Sequence, residues 1–288
     1  MENLQKKQIQ KHLMEYVKRH PSQNKAATTL NDVSSATISQ ILNEKWDLVA
    51  DSMWRNISSQ IGVKSKEWVL VDTVDFLEIQ EILSDAQKQS MVMSFVGDAG
   101  SGKSAATKAY KNENKHVYLL SCNEYWQKTD FLNALATSMG KDVRGYNINQ
   151  MMVEIIKIIK SVERPLIIMD EGDKLKDQVL RFFITLYNNL EDHCGIVICA
   201  TDHLEKKIKR GLTLNKQGYQ EMYSRLGRKF IPLDGVTFTD VDSICKSNGE
   251  NSAKRIKEIW NDCDRDLRRV KRLILAARLE NKKQQNRD

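Results

Sequence analysis

Gly97-Asp98-Ala99-Gly100-Ser101-Gly102-Lys103-Ser104 follows the apolar run Met91–Val96 and precedes the helix-forming stretch 105–111, AATKAYK. The octet fits GxxxxGK[ST] at every fixed position. Glycines let a backbone curl until successive N–H groups point inward, and a helix starting at Lys103 adds partial positive charge at its N-terminus. Strand, curled loop and helix together predict a cradle for phosphate oxygens, with every residue from Gly97 to Ser104 contributing. Lys103 is placed to reach the β- and γ-phosphates of a nucleoside triphosphate, and the Ser104 hydroxyl to ligate Mg²⁺.

Downstream, Leu166–Met169 is an apolar strand that ends in Asp170-Glu171, 67 residues after Lys103. A carboxylate at the end of such a strand lies beside the phosphate loop and can hold Mg²⁺, which assigns Asp170. Its neighbour Glu171 is placed to polarise an attacking water as general base. Further β-like runs occur at His116–Ser121, Ile196–Ala200 and Lys229–Leu233, with helix-period segments between them. Strands alternating with helices predict a parallel sheet covered on both faces, here with five strands.

The first 66 residues read differently. Leu4, Ile9, Leu13, Met14 and Val17 repeat at near-helical spacing, and His20-Pro21 ends that helix. Asn24 is placed to cap a short helix from Lys25 to about Leu30. After the turn Asn31–Ser34, Ser34 or Ser35 caps a helix from Ala36 to about Glu44. A last helix spans about Val49 to Ile61, with Gly62 as its C-cap. This is the helix-turn-helix pattern. Its second helix carries Ser35, Thr37, Ser39, Gln40 and Asn43, short polar side chains of the kind that read base edges in the major groove. The alternative is a small helical bundle that contacts protein.

The chain has 288 residues, 41% hydrophobic and 29% charged, with a net charge of +7. That suits one large domain, or a large one with a smaller one, and leaves material for a sizeable core. Positive charge gathers in residues 1–66 (net +4), 203–233 (+6) and 251–288 (+6), so the remainder is acidic. Such patches permit binding to a polyanion. Lys206, Lys207, Lys209 and Arg210 form the densest group, and Lys128 with Thr129 offers a smaller one; solvated helix faces would look the same. Five cysteines at 122, 194, 199, 245 and 263 make no CxxC or zinc spacing and read as reduced thiols. Apolar runs of four or five residues are too short for a membrane span, and the N-terminus lacks a signal-peptide pattern, which predicts a cytoplasmic protein without membrane partners.

Over residues of about 73–280 the chain resembles the AAA+ ATPases. The resemblance rests on the phosphate loop and the Asp170-Glu171 pair. It is extended by GIVICATD ending in Thr201, by YSRLGR at 223–228 and by DRDLRRV at 264–270. It implies ATP and Mg²⁺ as ligands, hydrolysis stimulated by DNA, Thr201 as the polar sensor of the γ-phosphate, and Arg225 or Arg228 as a finger supplied to a neighbouring copy. It also implies Arg268, with Arg269 as near alternative, as the arginine of the lid's sensor helix. The glycine that usually opens that last motif is absent. The implied organisation is a helix-turn-helix domain over 1–66, an AAA+ nucleotide-binding core over 67–237, and a helical lid with a basic tail over 238–288.

Domain order and size narrow the resemblance to the transposition proteins of the phage Mu B, TnsC and TniB kind. These imply a homo-oligomer, ring or helical filament, that assembles on double-stranded target DNA with ATP, recruits a cognate transposase and dissolves on hydrolysis. Replication ATPases and helicase loaders of the DnaC, IstB or DnaA type share most of these features. A signalling ATPase of the STAND kind would use its N-terminal domain to bind protein instead.

Overall fold

A computed structural model describes residues 3–61 and 68–285 and divides the chain into two units, residues 1–69 and 70–288. The expected helix cap at Gly62 and residues 286–288 of the basic tail lie outside the described residues.

The described residues of the first unit contain four α-helices: α1 (Asn3–Lys18), α2 (Gln23–Thr28), α3 (Ser35–Leu42) and α4 (Asp51–Gln60). Ile9 and Leu13 of α1, Ile38 and Ile41 of α3, and Trp54 and Ile57 of α4 close one apolar cluster. The cap of α2 is Ser22, whose hydroxyl accepts from the Lys25 amide; Asn24 lies inside the helix. Starting two residues earlier seals Ala26 and Ala27 into the core. Ser34 caps α3 through the Thr37 amide, so Ser35 begins the helix. The helix expected from Val49 begins at Asp51, after a short 3₁₀ turn at Trp46–Leu48.

The second unit opens with α5 (Val74–Gln89), capped by Thr73, and then alternates: β1 (Val92–Val96), α6 (Lys103–Glu113), β2 (Val117–Ser121), α7 (Lys128–Ser138), α8 (Ile148–Lys160) and β3 (Leu166–Asp170). Next come α9 (Asp177–Leu180), α10 (Phe182–Leu190), β4 (Gly195–Ala200), α11 (Asp202–Thr213), α12 (Tyr219–Arg225) and β5 (Ile231–Pro232). Three helices close the chain: α13 (Phe238–Ser247), α14 (Ala253–Asp262) and α15 (Leu267–Gln285). The five strands lie in the order β2-β3-β4-β1-β5, all parallel.

Strands β3 and β4 are buried along their whole length, as near-continuous Leu, Ile and Val runs require when both faces are covered. On one face α5 and α6 supply Ile79, Leu83, Ala106 and Tyr110. On the other, α7 to α12 supply Phe131, Ile155, Phe183, Leu204 and Met222. Gly195 lets β4 start directly under α5, since a Cβ there would fall 2.3 Å from the Ala86 carbonyl oxygen. Placing β1 between β4 and β5 makes the chain leave in opposite directions from neighbouring strand ends. That opens the crevice at the carboxyl ends where α/β sheets hold ligands, and the phosphate loop follows β1 at that end.

Candidate active site

The loop between β1 and α6 is held by backbone hydrogen bonds, one within itself and one to β4. The Gly97 amide donates to Ala200 O at 3.2 Å and the Ser101 amide to Asp98 O at 3.3 Å. Gly100 and Gly102 adopt φ +85° and +99°, values that favour glycine, and Gly102 hands the chain to α6 at Lys103. Gly100 has a second constraint: a Cβ would meet Asp266 Oδ1 at 2.2 Å. The Leu267 amide donates to Gly100 O at 2.9 Å, so the start of α15 rests on the loop. The 264–270 motif and the phosphate loop, distant in sequence, are thus brought together.

Lys103 and Asp170 are buried ionisable side chains that form no ion pair among the described residues. Lys103, 9% exposed, donates from Nζ to Gly97 O at 2.7 Å and Asp98 O at 2.6 Å, and to no carboxylate among the described residues. Asp170, 2% exposed, accepts at Oδ1 from the Cys199 thiol at 3.1 Å, and no cation pairs with it among the described residues. An ionised side chain buried without a partner costs several kcal/mol. The buried Ser101 hydroxyl also has no hydrogen-bond partner among the described residues. An anionic phosphate chain satisfies Lys103 and Ser101, and a divalent cation satisfies Asp170, so these residues fit a magnesium nucleotide. Ser104 is half-buried in the first turn of α6.

Glu171 leaves the sheet at φ +59°, and its Oε2 accepts from Lys174 Nζ at 2.7 Å. Thr201 follows β4, and its hydroxyl donates to Asp173 Oδ2 at 2.7 Å. Neither Lys174 nor Asp173 stands out in the sequence; the turn after β3 and the end of β4 create both contacts. Burial, then the charge of Asp170, pushes the Cys199 thiol well above its ordinary range, so it stays protonated as a donor. All five cysteines are free and buried. Among the described residues no cluster of three His, Cys, Asp or Glu side chains is arranged to hold a metal.

The two finger candidates differ. Arg225 is engaged within its own chain: Nη2 lies 2.8 Å from both Asn188 Oδ1 and Glu221 Oε1, and the guanidinium lies 5.1 Å from the Tyr187 ring centre. It lines a cavity of about 220 Å³ with Met91, Glu191 and Ile196, at the sheet end opposite the phosphate loop. Arg228 is exposed at φ +57°, and its guanidinium has no partner among the described residues. In the lid, Arg269 approaches Asp264 at 3.9 Å, whereas Arg268, in the first turn of α15, is exposed; its amide donates to Asp266 Oδ1 at 2.7 Å and its guanidinium has no partner among the described residues.

The basic group at 206–210 lies on α11, where most of its charge is spent locally. Lys206 pairs with Asp202, Lys209 with Glu205 at 2.6 Å, and half-buried Lys207 with Asp177 at 3.3 Å and Leu175 O at 2.5 Å. Arg210 is exposed and unpaired among the described residues. Lys128 is exposed at the start of α7, while Trp126 packs against the core. On α3, Thr37, Ser39 and Gln40 are half-exposed, and Asn43, which caps its C-terminus, is exposed; Asn43 Nδ2 donates to Ser39 Oγ at 3.1 Å.

A family model described as an AAA domain matches residues 85–208, a span from the end of α5 through the phosphate loop and β4 into α11. No curated protein matches the chain. No helix among the described residues is long and apolar enough to cross a membrane.

Proposed function

We propose that the AAA-type P-loop ATPase domain at residues 85–208 powers a DNA-binding transposition protein. In this reading ATP-bound copies assemble on duplex target DNA, recruit and activate a cognate transposase, and leave the DNA on hydrolysis. The observation that carries the ATPase reading is the pair of buried ionisable side chains that form no ion pair among the described residues, Lys103 and Asp170. The extension to DNA draws on the resemblance of the whole chain, on the helical N-terminal unit with its polar α3 face, and on the basic stretches.

On binding, Lys103 exchanges two carbonyl partners for phosphate oxygens, and the loop amides take up the β-phosphate. Bound Mg²⁺ neutralises charge on the transferring phosphoryl group. Ser104 and Asp170 would hold that ion, Asp170 from the end of β3. Glu171 accepts the proton of the attacking water, which requires it to release Lys174. Thr201 exchanges Asp173 for the γ-phosphate or that water. Arg268 reaches over from α15, whose first residue already touches the loop. Arg228 of a neighbouring copy supplies the remaining cation, which makes turnover depend on assembly.

Electron microscopy with duplex DNA tests the assembly directly. Wild type forms ordered polymers with a non-hydrolysable ATP analogue and none with ADP. Lys103→Ala forms none with either nucleotide. Glu171→Gln polymerises with ATP itself and persists, with turnover reduced about 10²–10⁴-fold. Equal assembly of wild type and Lys103→Ala defeats the proposal.

A further inference from the structure

At the level of Asp170 the strand register sets four residues side by side: Ser121 of β2, Asp170 of β3, Cys199 of β4 and Phe95 of β1. Directly opposed residues of neighbouring strands send their side chains to the same face. Cys199 and Phe95 share one buried cluster with Ala106 of α6, the helix that begins in the phosphate loop. Asp170 therefore projects toward that helix from an apolar row. The one hydrogen-bond donor to its carboxylate among the described residues is the Cys199 thiol, 3.1 Å from Oδ1.

An aspartate's terminal torsion is broad and roughly two-fold, so an untethered carboxylate turns freely and interchanges its oxygens. A donor on the β4 side removes that freedom. It holds Oδ1 toward β4 and leaves Oδ2, which accepts nothing among the described residues, for a cation or its water. A thiol suits this task. It is a weak donor, so it orients the carboxylate while withdrawing little of the charge the cation needs. It is also small and apolar enough to sit at 0% exposure beside Phe95 and Val197. Residues that orient a ligand from behind in this way tune metal affinity.

We infer that Cys199 is a positioning residue for the divalent cation: its thiol fixes the Asp170 carboxylate so that one oxygen is presented to the magnesium of the bound nucleotide. This rests on the ATPase reading above and adds to it a residue that acts through Asp170.

The test titrates fluorescent N-methylanthraniloyl-ATP into the full-length protein, with excess EDTA and with Mg²⁺, for wild type, Cys199→Ala and Cys199→Ser. With EDTA all three bind alike. With Mg²⁺, Cys199→Ala loses about three- to ten-fold of the tightening that Mg²⁺ confers on wild type, the size of one ordinary hydrogen bond, as befits a weak thiol donor. It also needs correspondingly more Mg²⁺ for half-maximal hydrolysis. Cys199→Ser keeps a donor and recovers most of the loss. In an Asp170→Asn background, Cys199→Ala has no further effect on the Mg²⁺ response. A lowered melting temperature in Cys199→Ala with an unchanged Mg²⁺ response makes the thiol a packing group and overturns the inference. Additive losses in the double variant overturn it as well. A wild-type protein that takes up no nucleotide removes the ATPase reading, and this inference with it, and is distinguished by failing already in EDTA.

Discussion

A single buried carboxyl shows how much one residue can hold. Asp75, in the first turn of α5 and 2% exposed, accepts at Oδ1 from the Gly235 amide at 3.0 Å, while its Oδ2 is buried without a partner among the described residues. Asp240 of α13 returns the contact, accepting at Oδ1 from the Val74 amide at 3.2 Å. The two carboxylates thus tie the start of α5 to the segment that leads into the closing helices. Burial raises the Asp75 carboxyl above its ordinary value, and Asp240 and Asp234 add to the shift while the Gly235 amide opposes it. The folded chain therefore holds this proton at pH values where the unfolded chain has lost it. Stability contributed by the protonated group is complete below the ordinary carboxylate range and falls as pH rises through the raised value. Asp75→Asn keeps the acceptor for Gly235, replaces the unpartnered oxygen by a donor and abolishes the ionisation. Its melting temperature should exceed that of wild type by about 2–4 °C at pH 7.5, the equivalent of about 1 kcal/mol in a protein of this size. The difference should vanish near pH 4. Melting curves at both pH values check it; equal shifts at both would exclude ionisation as the cause.

At the scale of elements, α11 separates charge content from available charge. Its four cations suggest a strip for tracking phosphates, yet three of them are already paired with Asp202, Glu205 or Asp177. Exposed pairs of this kind contribute little stability, about 0–1 kcal/mol each, but they neutralise the strip seen by a polyanion. Replacing Lys206, Lys207, Lys209 and Arg210 together by Ala should therefore flatten log Kobs against log salt for duplex DNA by about one rather than about four, since each phosphate contact contributes about 0.9. Binding measured between 50 and 200 mM salt checks the slope; a drop near four would mean that the ion pairs open on DNA.

The same contrast explains what was legible in the sequence. Glycines and one lysine at fixed spacing, and two carboxylates after an apolar run, are dictated by chemistry within a few consecutive residues. All five strands lie within two residues of their expected starts, because apolar runs between polar segments have few other solutions. Cap positions such as Ser22 were missed because packing of Ala26 and Ala27 chooses among neighbouring polar residues. Cys199 beside Asp170, Asp173 beside Thr201 and Asp266 beside Gly100 exist only once register and tertiary packing join segments 28 or more residues apart. No local pattern encodes them.

At the scale of the molecule, the proposed cycle depends on which arginine can leave its own chain. Arg225 has a hydrogen-bond partner, an ion-pair partner and an aromatic ring beneath it, so exporting it across an interface would break all three. Arg228 stands three residues beyond the end of α12 at positive φ, and its guanidinium has no partner among the described residues to give up on meeting a neighbour. Arg228 is therefore the residue to test as the finger, and Arg225 the one that braces α12 on α10. Arg228→Ala should lower turnover about 10³-fold or more while leaving nucleotide affinity intact. Arg225→Ala should lower the melting temperature and keep most of the turnover. A mixing experiment decides whether the arginine acts in trans. Arg228→Ala copies retain a complete Glu171 site, and Glu171→Gln copies retain Arg228, so each is inactive alone. In a head-to-tail assembly, random one-to-one mixing places an Arg228 donor beside an intact site in about a quarter of interfaces. Turnover of the mixture should recover to about that fraction of wild type, and a mixture as inactive as its components would show that Arg228 is not delivered from one copy to the next.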